Sequence, residues 1–320
     1  MRVPLPAAMI TMFNIMRTLL FGGFNASRPR IIGALVVTLS LLSACSALRL
    51  GYSQAPELAY WWLDGYVDFN KAQTPKVREA LSSWFKWNRS TQLPDYADLL
   101  AKAEVQLASN VTPVQACQWF DDVGSRFEVA LERALPDLAD FALTATPEQF
   151  VVLEKRFAKG NKEILADYAQ PSAEERQKAA VKRAVDRAES VYGKLDEAQQ
   201  ERVAASVINS PFNPEVWLAE RKARQQDLLQ SFRKLVADKA SNTQAQAAVR
   251  LLVERSRRSP REAYLAYQQR LTQYNCAAAA QTHNFTTPAQ RKFAAQKLKG
   301  WEGDLRALMA AAAGSAVAVN

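Results

Sequence analysis

From residue 56 onward, apolar residues recur at three- and four-residue intervals, and no stretch keeps the period of two that marks a strand. The clearest pattern lies over residues 147–168, where Phe150, Leu153, Phe157, Ile164, Leu165 and Tyr168 share one helical face and Lys155, Lys159 and Lys162 fall elsewhere. Residues 173–192 repeat it with Val181, Ala184, Val185, Ala188, Val191 and Tyr192. Amphipathic helices joined by short turns bury their stripes against each other. The pattern therefore predicts an all-α fold, an elongated multi-helix bundle of antiparallel helical hairpins over residues 56–312. It forms one domain or two sub-bundles parted near 170 or 211, with a disordered tail over 313–320.

Punctuation along the chain supports this reading. Thr74-Pro75, Thr112-Pro113, Thr146-Pro147 and Thr287-Pro288 each place a capping hydroxyl before a proline suited to the first helical position. Ser172, Asp196 and Asn213 mark further starts, and Pro94, Pro171, Pro211 and Pro260 interrupt the runs between them. Roughly ten helices result. After Thr112, Thr146, Asp196 and Thr287 a glutamine follows three positions on, at Gln115, Gln149, Gln199 and Gln290. That is the capping box, in which the cap oxygen accepts from the third amide and the third side chain reaches back to the cap amide. These short motifs also resemble the Leu-Thr-x-x-Gln signature of the small Spy-like periplasmic chaperones, with the leading leucine present only at Leu195. That resemblance implies an all-helical protein that cradles unfolded clients, whereas the capping reading implies helix starts alone.

The chain begins differently. Residues 31–42 are almost unbroken apolar, stand behind Arg28 and Arg30, and end in Leu42-Ser43-Ala44-Cys45. A basic flank, an apolar run and small residues before a cut describe a secretory leader. A dozen apolar residues fall short of the roughly 20 that a spanning helix needs. The ending resembles the lipobox of bacterial lipoproteins, which implies cleavage before Cys45 and lipidation of its sulfur and new amine. On this reading residues 1–44 are a signal peptide and 45–55 a tether; the other reading is an ordinary secretory leader with an unrelated cysteine. Ser46 stands where an aspartate would resemble the signal for inner-membrane retention, so the resemblance implies the periplasmic face of the outer membrane. Met9, Met12 and Met16 offer alternative starts.

Removing 44 of the 320 residues leaves 276, enough for a sizeable core. The leader carries Arg2, Arg17, Arg28 and Arg30 and no acid, so the balance falls from +9 to +5 in the mature chain. A mild excess of this sign suits anionic lipid, lipopolysaccharide or an acidic envelope protein, and nucleic acid is not an expected partner in that compartment. The two remaining cysteines, Cys117 and Cys276, meet an oxidising compartment there, which predicts one disulfide; two buried free thiols are the alternative.

Little in the chain points to chemistry. His283 is the single histidine, too few for an ordinary zinc site, and neither a nucleophile elbow nor a phosphate loop is present, so no metal or cofactor is expected. Helical carboxylates leave room for a wall-cleaving enzyme. Asp64 and Asp68, four apart beside Trp61, Trp62 and Tyr66, suggest either a sugar cleft or an amphipathic helix with solvated acids. Trp61, Trp62, Trp84 and Trp87 lie with Tyr60, Tyr66, Phe69 and Phe85 just behind the tether. They fit a packed core, or a recognition surface or membrane-interface belt. Arg255, Arg257, Arg258 and Arg261 form either an anion-gripping cluster or a solvated helix end.

The lipobox, the segment Gly51-Tyr52-Ser53-Gln54-Ala55-Pro56-Glu57-Leu58-Ala59-Tyr60-Trp61-Trp62-Leu63-Asp64-Gly65-Tyr66, and His283-Asn284 before Thr287-Pro288-Ala289-Gln290 together resemble an uncharacterised proteobacterial lipoprotein family that carries a domain of unknown function. The resemblance implies an envelope address and a helical fold, without an activity. The leading expectation is a lipid-anchored, non-enzymatic binding, adaptor or chaperone-like protein; the runner-up is a cell-wall-active hydrolase using helical carboxylates.

Overall fold

The computed structural model describes residues 51–168 and 172–317, so the leader and Cys45 lie outside the described residues. The fold is all-α: eleven α-helices and no strand among the described residues. They are α1 (Ala55–Val67), α2 (Gln73–Trp87), α3 (Leu93–Gln106), α4 (Pro113–Thr144), α5 (Pro147–Tyr168), α6 (Ala173–Tyr192), α7 (Glu197–Ile208), α8 (Pro214–Ala237), α9 (Asn242–Arg257), α10 (Glu262–Asn284) and α11 (Pro288–Val317). None of the described helices is long and apolar enough to cross a membrane.

Between α2 and α3 the backbone does not leave the helix at Pro94. It widens into one π segment, Asn88–Gln92, and resumes with proline in the first turn of α3. A proline has no N–H to give its preceding turn, and a wider register there absorbs the mismatch. The buried Asn88 at that widening is held by the Tyr52 hydroxyl, which donates to its Oδ1 at 2.8 Å. Tyr52 also lies edge-on to Phe85, so the polypeptide docks on α2 three residues before α1 begins. Burial pushes the Tyr52 phenol up to about 12.

The 32-residue α4 is the central post, touching α2, α8, α9 and α10. Its Ala139 and Ala142, both fully buried, let neighbours approach closely, and Leu135 fills the space beside them. Around these pack Phe150 and Leu153 of α5, Leu229, Phe232 and Leu235 of α8, and Ala245 and Val249 of α9. Each large apolar side chain buried this way contributes about 1.5–3 kcal/mol. Ala188, Leu195 and Val203, with Phe285 against them, form a smaller second cluster. The stripes of α5 and α6 do form, but their principal partners are not each other: α5 lies on α1 and α8, and α6 on α7 and α11. The last helix runs to Val317, past the expected tail start at 313, because Ala310 to Ala313 favour helix and no proline stops it.

The caps largely follow the sequence. Capping boxes close at Thr112 with Gln115 and at Asp196 with Gln199. They close likewise at Thr146 with Gln149 and at Thr287 with Gln290. Ser172 and Asn213 cap as expected. Thr74 does not. The residue before α2 is Ala72, which makes no side-chain cap bond. Asn70, two residues earlier, does the capping, its Oδ1 accepting from Ala72 N and Gln73 N at 3.0 Å each, and Thr74 lies inside the first turn. Asparagine outperforms threonine as a cap, and Gln73 returns a bond to Asn70 N at 3.1 Å. A further box, Ser241 with Gln244, opens α9.

Two pairs of boxes are clasped to each other. In each boxed glutamine Oε1 takes the cap amide, which leaves Nε2 free for a distant partner. Gln149 Nε2 donates to Gln73 Oε1 at 2.7 Å, and Gln73 Nε2 donates back at 3.2 Å. Gln199 and Gln290 exchange the same two bonds at 2.8 Å. Each Nε2 also reaches the carbonyl two residues before its partner's cap: Thr144 O, Asp68 O, Phe285 O and Lys194 O. The first clasp joins the starts of α2 and α5, the second those of α7 and α11. Cys117 and Cys276 form a disulfide tying the start of α4 to α10, with Cα atoms 5.1 Å apart.

Candidate functional site

Helix α1 is apolar on two sides. Ala55, Tyr60 and Val67 face the body and are buried. Leu58, Trp61 and Trp62, spaced i, i+3, i+4, form one outward face with exposures of 44%, 63% and 53%. The helix is seated by its other side. Arg78 of α2 pairs with Glu57 and stacks over the Tyr60 ring at 3.9 Å, and the Tyr60 ring stacks on Phe69. Trp61 touches that seating only at its edge, with Arg78 5.9 Å from its ring and Tyr60 edge-on at 5.7 Å.

The four tryptophans of the N-terminal segment therefore divide. Trp84 Nε1 donates to Ala130 O of α4 at 2.9 Å, and its ring lies 6.0 Å from that of Trp87, over which Arg133 sits. Those two are partly buried packing residues. Trp61 and Trp62 are surface. Asp64 and Asp68 are engaged in the turn that ends α1: Asp64 Oδ1 accepts from Phe69 N at 2.9 Å, and Asp68 takes the left-handed conformation with its amide on Asp64 O.

The outward aromatic face continues into a basic groove. The Trp62 ring lies 4.8 Å from Tyr66, and Arg156 of α5 sits over Tyr66 at 4.9 Å. Beyond it, α5 and α8 run antiparallel and leave an open groove of about 670 Å³, lined by Ala158, Lys159, Asn161, Lys162, Leu165 and Lys222. Its floor is set by the buried Asn161, which donates to Gln225 Oε1 at 2.8 Å and accepts from Arg221 Nε at 3.0 Å. Burial lowers the Arg221 pKa from its usual value. No carboxylate lines the groove, and its three lysines have no ion-pair partner among the described residues. At the far end Tyr168, Phe212 and Trp217 form an aromatic trio with ring centroids 5.7–6.3 Å apart.

The arginines at 255–261 do not act as one grip. Arg257 pairs with Glu128, and Arg261 pairs with Asp227 at 2.8 Å and with the buried Glu220. Glu220 is held again by Arg224 at 2.7 Å. Arg255 and Arg258 stay exposed beyond these pairs. The helix ends at Arg257, so the side chains past it leave in a different direction from those before it. Among the described residues no group of His, Cys, Asp and Glu is placed to hold a metal ion.

His283 is buried at the end of α10. Its Nε2 lies 2.8 Å from Ser109 O and its Nδ1 3.1 Å from the Tyr192 hydroxyl. A carbonyl only accepts, so Nε2 carries the proton and Nδ1 accepts from Tyr192. Burial lowers the imidazole pKa below its ordinary value and pushes the Tyr192 phenol up to about 12. This histidine is a packing residue with both ring nitrogens used. The sequence reading passed over Arg156, Lys222 and Arg221 as site residues, because they meet Lys159 and Lys162 only when α5 and α8 pair.

No curated protein and no solved structure matches the chain. One family model does, over residues 65–256, from the end of α1 to the last turn of α9 and so across more than half of the chain and both walls of the groove. The chain belongs to that family, DUF6279, a family of unknown function.

Proposed function

We propose that this is a lipid-anchored, non-enzymatic binding protein of the bacterial cell envelope, held through Cys45 at the periplasmic face of the outer membrane. It uses α1 as its contact helix. The observation that carries the reading is the outward face of Leu58, Trp61 and Trp62, with two indoles left in solvent on the first of the described helices. Adjacent exposed indoles on one face gain free energy when something covers them, and a contiguous apolar patch of this kind marks a contact surface. The leader pattern ending at Cys45 supports the address, and a tether raises the effective concentration of such a face against membrane partners. The paired use of the boxed glutamines between helices favours helix capping over the chaperone-like signature for those motifs.

Metabolic labelling with an alkyne fatty acid tests the anchor: label on the wild type and none on Cys45→Ala is expected, and equal labelling of both overturns it. Incubation with peptidoglycan tests the absence of catalysis. Turnover that disappears in Asp64→Asn with helicity intact would promote the hydrolase instead.

A further inference from the structure

The exposed face of α1 and the groove between α5 and α8 are contiguous, and their chemistry is complementary to one kind of surface. We infer that they form a single membrane-contacting face whose occupant is an anionic phospholipid layer, the indoles entering the interface and the lysines taking the headgroup phosphates. The inference rests on the envelope placement proposed above and adds the surface and the ligand.

Continuity comes first. Trp62 touches Tyr66, Arg156 covers Tyr66, and Arg221 reaches from α8 to Asn161 at the groove floor. From Ala158 to Leu165 the groove follows about 10 Å of helix, at the 1.5 Å rise of an α-helix, with Arg156 just before it and Tyr168 just after. Aromatic groups stand at both ends, Trp61 and Trp62 at one and Tyr168, Phe212 and Trp217 at the other. Indole and phenol rings settle at the headgroup level of a bilayer because one end is apolar and the other hydrogen-bonds.

Charge complementarity decides the occupant. Lys159, Lys162 and Lys222 project from a lining without a single carboxylate, while many other exposed cations of this protein are committed to acids, such as Arg78, Arg233, Arg250 and Arg306. The apolar atoms of Ala158 and Leu165 lie between the lysines, and Leu165 is 40% exposed. Long lysine stems can cover apolar surface while their ammonium heads remain in the phosphate layer. Chain length agrees, because only nine residues lie between Cys45 and Ala55, and a tether of that length keeps α1 beside the bilayer.

The test uses full-length protein purified from membranes and reconstituted into vesicles of phosphatidylcholine alone or of phosphatidylcholine mixed with phosphatidylglycerol, both with brominated acyl chains that quench nearby tryptophan. Quenching in the mixed vesicles, weak in neutral ones and reversed by salt, is expected. It should fall sharply in Trp61→Ala/Trp62→Ala, with Trp217 at the other end of the face accounting for what remains. Replacing Lys159, Lys162 and Lys222 by glutamine should lower the docked-to-undocked ratio about 5-fold per lysine. All these positions are solvent-facing, and an unchanged helical spectrum verifies folding. Equal quenching in neutral and anionic vesicles, or quenching indifferent to the lysines, overturns the headgroup assignment. Absence of quenching in both overturns the face itself, as does competition by an acidic peptide that protects the lysines from acetylation where vesicles do not. The mass of the purified N-terminal peptide reports acylation of Cys45 independently, so loss of the anchor reading and loss of the face are separate results.

Discussion

Helix α1 and the junction of α10 with α11 treat their conspicuous residues in opposite ways. On α1 two tryptophans stand in solvent and the helix is seated by other side chains. At the junction the polar side chains are each given partners, His283 and Thr286 in the interior and Asn284 at the surface. His283 bridges Ser109 and Tyr192, Asn284 exchanges two bonds with Val111, and Arg291 reaches Asn110, Asn284 and Thr286. The second glutamine clasp holds the start of α11 and the disulfide holds α10. A buried polar group with every bond made adds rigidity, and one with a bond missing costs about 1–3 kcal/mol. An exposed apolar group does neither. Residue type alone therefore misleads here: the polar junction is architecture, and the apolar face of α1 is left exposed.

The comparison breaks if substitutions at the two regions cost the same stability. The largest effect is expected from Cys117→Ala/Cys276→Ala. The bridge closes a loop across 159 positions, for which chain entropy gives about 5 kcal/mol. The denaturation midpoint should fall steeply, and a variant as stable as the wild type would remove the disulfide from the list of supports.

The glutamine clasps come next. Gln149→Ala leaves Gln73 and the Asp68 carbonyl without their partner, and Gln199→Ala does the same to Gln290 and the Phe285 carbonyl. About 2 kcal/mol is expected for each. The loss should exceed that of Gln115→Ala, whose box has the same local form on an exposed helix start. Equal losses at Gln115 and Gln149 would mean that the clasp adds nothing to the cap.

A smaller effect follows acidification. Because burial lowers the His283 pKa in the folded state, the unfolded chain takes up a proton first as pH falls. The contribution of the neutral ring is complete above the unfolded value of about 6.5 and is lost progressively as pH drops below it. Wild-type stability should decline in that window, and His283→Gln should flatten that component of the profile. Identical slopes in the two proteins would contradict the neutral assignment.

The smallest stability change belongs to α1. Trp61→Ala/Trp62→Ala should alter unfolding free energy by less than about 0.5 kcal/mol. Trp84→Ala, which breaks the bond to Ala130 O and empties a packed site, should cost several times more. A large loss from the Trp61/Trp62 variant would show that those indoles are packed after all.

Much of the fold was legible because its signals are local. An N-cap needs an oxygen and a free amide three residues on, and both are written within one turn; this is why Thr112, Thr146, Asp196 and Thr287 start helices where their residues indicate. Asn70 with Gln73 and Ser241 with Gln244 carry the same spacing and were readable, although Thr74-Pro75 is the more conspicuous signal for the first. The clasps were not readable. Within a box the glutamine carbonyl is used locally and its amide is left over, and only the meeting of two helix starts 76 or 91 positions apart gives that amide a destination.

The sequence by itself determined the helices, their caps and the all-α class, since hydrophobic period and capping chemistry act over a few residues. It also carried the two cysteines whose bridge the fold completes. Tertiary structure alone decided which apolar side of α1 turns inward, because Tyr60 and Trp61 are adjacent and equally suited to a core. It divided the tryptophans into a packed pair and an exposed pair, and split the arginines at 255–261 among separate acids. It assembled the lysine groove from α5 and α8, helices distant in the chain. Side-chain character is a local property; what faces it is a property of the packed whole.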